Sequence, residues 1–140
     1  MVGIGHPMNV SSARARNQKG FTLLELLIAM FILVILLSVA VPTYQKSVQH
    51  ARESVLKENL WQMRRSIDQY ASDKGKFPEN LSELVNGGYL RELPKDPITE
   101  RAEWEEIRAE DPTNEDQAGI KDVRSLAEGI DDAGVSYRDY

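Results

Sequence analysis

The chain has no cysteine. Disulfides are therefore excluded, and a small exported domain without them must be held together by other means. Histidine is scarce: His6 lies near the N-terminus and His50 in a polar stretch, and there is no other. No phosphate-binding glycine loop is present. The paired carboxylates Glu110-Asp111 and Glu115-Asp116 sit in turn-like sequence with no apolar pocket to raise a pKa. These gaps argue against an enzyme. Two further absences organise the chain: residues 1–20 contain no acid, and no charge occurs from Leu26 to Pro42.

The 140 residues leave room for one small domain once that apolar run is set aside. The net charge of −5 conceals an asymmetry. Arg14, Arg16 and Lys19 hold three of the 17 basic side chains, so residues 21–140 carry 14 basic against 22 acidic groups, a net of −8. A basic start, an apolar run and an acidic body predict an N-terminus kept in the cytoplasm and a translocated remainder. An acidic body also argues against nucleic acid as a partner, because phosphate neutralisation needs clustered Lys and Arg.

As a helix, Phe21 to Pro42 would rise about 33 Å, against a hydrocarbon core of about 30 Å. A cleaved secretory signal accounts for part of this pattern, with Ser38-Val39-Ala40 as a small-x-small cut site and a soluble binding domain starting at Val41. Glu25 does not fit that reading. A carboxylate at a membrane helix centre costs about 2.5 to 3.5 kcal/mol on insertion scales, and a disposable signal has no use for one. The helical pattern also continues past the cut. Tyr44, Val48, Ala51, Val55, Leu56, Leu60, Met63, Ile67 and Tyr70 recur mostly in steps of three and four, which predicts an amphipathic helix ending at Asp73-Lys74-Gly75. Pro42 should bend or loosen it.

The stretch Lys19-Gly20-Phe21-Thr22-Leu23-Leu24-Glu25, followed by an unbroken apolar run, resembles the class III signal of type IV pilins and type II secretion pseudopilins. That resemblance implies cleavage after Gly20 by a prepilin peptidase and N-methylation of Phe21. It also implies that the run is retained as membrane anchor and filament core. Pro42 then falls at the twenty-second mature position, where the family often has proline. In a bundle of such helices, Glu25 of one subunit can meet the Phe21 amine of a neighbour, which compensates two buried charges and sets the axial register. The twenty-residue leader is long for the family, and Met8 offers a second start.

Beyond the helix, Asn80 is an N-cap for a short helix at Leu81 to Val85, closed by Asn86-Gly87-Gly88. Pro94-Lys95-Asp96-Pro97 reads as a rigid turn. Strands are predicted near Trp104 to Arg108, Ile120 to Leu126 and Val135 to Tyr140, with an acidic linker between the first two. Trp61 is assigned to core packing, with a filament contact as the alternative. Arg64-Arg65 read as solvated helix face or interface charges.

The Gly75-Lys76-Phe77-Pro78 stretch, the short helix, Leu93-Pro94-Lys95-Asp96-Pro97 and Asp122-Val123-Arg124-Ser125 are similar to the major pseudopilin family of type II secretion. Two departures stand out: Ile98-Thr99-Glu100 replaces a passage containing tryptophan and glycine, and the acidic loop from Ala127 to Gly134 is short. The resemblance implies calcium in that loop, with Asp131, Asp132, Glu128 and Asp139 as candidate ligands. A solvated acidic turn is the alternative.

The expected fold is therefore α+β and pilin-like: one long N-terminal helix packed on a small head with a short helix and a short antiparallel sheet. Its divisions are a leader at 1–20, a membrane and filament-core helix at 21–42, an amphipathic continuation at 43–74 and a periplasmic head at 75–140. The resemblance implies a homopolymeric filament, minor pseudopilins, an inner-membrane platform and an assembly ATPase as partners, together with membrane lipid. A type IV pilin of a surface pilus is the neighbouring alternative.

Overall fold

The computed structural model describes residues 1–5, 19–109 and 118–140. His6, Met8, Arg14, Arg16, the two paired carboxylates and most of the acidic linker lie outside the described residues. Two compact units are present, Met1–Ala40 and Val41–Tyr140.

One α-helix, α1, runs over Leu23–Lys74. Thr22 caps its start: the Oγ1 accepts the Glu25 amide at 3.2 Å, and the Thr22 carbonyl accepts the Leu26 amide at 3.1 Å. Glu25 in the first turn suits the positive end of the helix dipole. The helix continues through Pro42 without interruption, although the ring removes the amide that the Ser38 carbonyl would otherwise accept. It stops where expected, with Gly75 at φ +72° and its amide bonded to the Ala71 carbonyl at 2.9 Å.

In the first unit the apolar side chains from Leu23 to Ala40 are uncovered by the chain itself. The second unit has a core. Leu56, Leu60, Met63, Ile67 and Tyr70 line one face of α1 and pack with Leu81, Leu84, Leu90, Trp104, Ile120, Val123, Ala127 and Tyr137. Only the later part of the apolar stripe takes part, since Tyr44, Ala51 and Val55 are exposed and Val48 is half-buried. Trp61 is a correction. It follows Leu60, and one residue turns a helix by about 100°, so its ring leaves the core and is 54% exposed. Arg65, one turn on, lies over that ring at 5.2 Å.

Helix α2, Leu81–Asn86, follows the predicted grammar: Asn80 Oδ1 accepts the Glu83 amide at 3.1 Å, and Gly88 takes φ +79°. Strands β1 (Glu105–Arg108) and β2 (Ile120–Arg124) pair antiparallel, with Glu105 opposite Arg124 and an irregularity between Ile107 and Arg108. The second strand is shorter than predicted and leaves Leu126 exposed.

The strand expected at Val135 to Tyr140 does not form. A 3-10 turn occupies Tyr137–Asp139, and one isolated bridge joins Ile130 to Ser136. Local bonding explains the difference. Asp131 Oδ1 takes the Ala133 and Val135 amides, and Ser136 caps the turn by accepting from the Arg138 amide. Donors that a ladder would need are thereby used within the loop.

Candidate processing and assembly site

Residues 19–22 precede α1 and have no regular structure. Gly20 and Phe21 are exposed, Phe21 at 85%, so the peptide bond between them is accessible. A side chain added at Gly20 would meet nothing within 4 Å. The fold itself therefore does not require glycine there. Lys19, Gly20, Phe21 and Glu25 together line an open concavity of about 340 Å³. The structure thus gathers the residues that the motif places in sequence, with Glu25 one turn inside the helix that Thr22 caps.

Downstream, the helix carries no Asp, Glu, Lys or Arg until Lys46 and presents its apolar side chains outward, long and apolar enough to cross a membrane. An uncovered apolar surface of this size marks a membrane or protein contact.

The head contains polar anchors that the sequence reading missed. The sequence places Arg64 on a solvated or interface face, but its Nε donates to Asp122 Oδ1 at 2.7 Å. Its Nη2 donates to the Val123 carbonyl at 3.0 Å and the Tyr140 carbonyl at 2.6 Å. Asp96 is fully buried in the proline-flanked turn. Its Oδ1 accepts the Ile98 and Thr99 amides, and its Oδ2 accepts the Ser125 hydroxyl. Every oxygen is therefore satisfied, as a buried carboxylate requires. Glu53, buried on α1, accepts the Tyr137 hydroxyl at 2.9 Å. His50 is polar-face as expected, with a largely exposed ring 3.9 Å from Glu53.

The candidate calcium residues are not gathered. Among the described residues, no three His, Cys, Asp or Glu side chains are placed to share a metal ion. Asp132, Asp139 and Glu128 are exposed, while Asp131 is engaged by the loop's own donors.

A capped helix with an outward apolar first part, preceded by an accessible glycine–phenylalanine bond and followed by a small α+β head, defines the pilin-like class. The family described as the prokaryotic N-terminal methylation motif matches residues 15–41. The type II secretion system core protein G of Aeromonas hydrophila is 32% identical over 98 residues, covering 59% of this chain and 68% of that protein. The protein of that name from Klebsiella pneumoniae is 31% identical over 98 residues, with 59% and 70% covered. Within the pilin-like class, the chain belongs to the family of the type II secretion system core protein G. Fimbrial protein EcpC of Eikenella corrodens is 35% identical, but over 54% of this chain and 53% of its own length. No solved structure matches the chain.

Proposed function

We propose that the chain is a structural subunit of a pseudopilus that drives protein secretion through the outer membrane by a type II secretion system. One observation carries this: the first part of α1, from Leu23 to Ala40, is apolar and uncovered, yet begins beside the accessible Gly20–Phe21 bond and a single acid, Glu25. A prepilin peptidase cuts after Gly20 and methylates Phe21. The anchored subunit sits in the inner membrane, N-terminus cytoplasmic and head periplasmic, until a platform protein and an ATPase draw it into the filament. There its apolar helix exchanges lipid for neighbouring helices, minor pseudopilins join the same filament, and Glu25 sets the register against the next subunit's Phe21 amine. The protein is a building block rather than a catalyst.

The test is to express the chain with its secretion machinery, shear the cells and examine the pelleted material by immunogold electron microscopy. Filaments labelled along their length are expected. A chain that remains in the membrane fraction as single subunits, with secretion unimpaired by its deletion, overturns the reading. Surface fibres with normal secretion would instead select the pilus alternative, which the fimbrial relative supports.

A further inference from the structure

Calcium takes six to eight oxygen ligands with lone pairs directed at the ion. Asp131, the most central of the candidate ligands, already uses three of the roughly four acceptor positions of a carboxylate. Its Oδ1 accepts the Ala133 and Val135 amides, each at 2.9 Å, and its Oδ2 accepts the Tyr140 hydroxyl at 2.7 Å. Positive charge is supplied too. Lys57 Nζ stands 4.3 Å from the centre of the Tyr140 ring, close enough to act on the Asp131 carboxylate. Glu128 does not face Asp131: it lines a separate concavity of about 320 Å³ with Glu103 and Arg101, which stand 3.9 Å from one another.

The same tyrosines tie the loop to α1. Gln49, Glu53 and Lys57 are spaced by four and form one row along the helix. Gln49 Nε2 donates to the Tyr137 hydroxyl at 2.8 Å, and that hydroxyl donates to Glu53 Oε1 at 2.9 Å. The rings of Tyr137 and Tyr140 meet edge to face, 5.6 Å apart at 87°. Lys57 then covers Tyr140, whose hydroxyl closes on Asp131. The row on the helix thus reaches the loop through two aromatic side chains.

We propose that residues 127–140 are fastened to α1 by this tyrosine–carboxylate clasp in place of a divalent cation, and that the segment folds without one. The clasp uses a buried carboxylate from the helix, so its hydrogen bonds form in a low-dielectric setting where they are strong and costly to leave unmade. It also accounts for a head without disulfides and with a short acidic loop. The inference stands whether the filament is a pseudopilus or a surface pilus.

The experiment is amide hydrogen exchange of residues 127–140 in the full-length protein in detergent, with EGTA and with millimolar calcium. Protection is expected to be the same in both buffers. Tyr137→Phe and Tyr140→Phe, which keep the rings and their packing, should each speed exchange about three- to tenfold, with or without calcium. Protection that appears only with calcium and is lost in Asp131→Asn overturns the proposal. So does unchanged exchange in both tyrosine variants, because the hydroxyls would then fasten nothing.

Discussion

Arg64 and Asp122, 58 residues apart in sequence, are joined by a charge-assisted hydrogen bond of 2.7 Å that ties α1 to β2. The guanidinium also reaches two carbonyls, those of Val123 and Tyr140, so one side chain braces a strand and the C-terminal turn. Both partners are about a third exposed, which weakens the Coulomb part of the pair. Arg64→Ala is expected to lower stability by about 1 to 3 kcal/mol in chemical denaturation. Arg64→Lys should recover only part of the loss, because an ammonium cannot present the planar fork. A lysine variant as stable as the parent would show that the fork geometry is incidental.

Gly119 and Gly134 both take positive φ, +156° and +82°, and differ in the space around them. A Cβ at Gly119 would lie 2.7 Å from Phe77 Cβ and from the Pro78 carbonyl oxygen, where β2 begins. At Gly134, with φ +82°, it would meet nothing within 4 Å. Gly119→Ala should therefore cost about 2 kcal/mol or more, from overpacking against backbone added to its own positive φ. Gly134→Ala should cost only about 1 kcal/mol, from the left-handed backbone. Equal midpoints in a thermal melt would contradict this ordering.

Two buried tyrosines, Tyr70 and Tyr137, and the half-buried Tyr140 predict the alkaline limit. The Glu83 hydrogen bond raises the Tyr70 hydroxyl above its ordinary 10.0, and desolvation followed by the Glu53 hydrogen bond raises Tyr137. Tyr140 is raised by desolvation and by Asp131. Each folded value exceeds the unfolded one. The stability these groups contribute is thus fully present below about pH 10 and is lost as pH rises through the folded values. Denaturant midpoints should fall progressively above about pH 10, while tyrosinate absorbance of the folded protein lags behind that of the unfolded chain. Midpoints that keep rising above that pH would reverse the sign.

Gly20 offers a substitution free of folding effects. Nothing lies near its missing side chain, so Gly20→Ala should leave the melting transition unchanged while uncut precursor accumulates in the membrane. Normal processing of Gly20→Ala, and of bulkier variants at that position, would remove the peptidase assignment. Glu25→Val should be cut and inserted but assemble poorly. Filaments of normal yield from it would remove the register role of the carboxylate.

Local signals were legible in the sequence. Asn80 capping α2, Gly75 ending α1 and the Asp96-Pro97 turn each depend on a few neighbouring residues, and each stands as read. Partnerships across the chain were not legible. Glu53 carries no local sign of burial, and its partner Tyr137 lies 84 residues on. Arg64 reads as solvated face or interface charge because its partners are equally distant in sequence. The missed C-terminal turn is a different failure: Val135 and Tyr137 alternate like a strand, but Asp131 and Ser136 had side-chain claims on the amides. A serine and an aspartate beside an alternating pair were the available warning.

The central claim is that the apolar helix is retained and begins at Phe21. The most direct measurement is the intact mass of the protein purified from its own membranes, with fragmentation of the N-terminus. The account predicts a chain beginning at Phe21 and carrying one additional methyl group. A chain beginning at Val41, or one retaining the residues before Phe21, would contradict it.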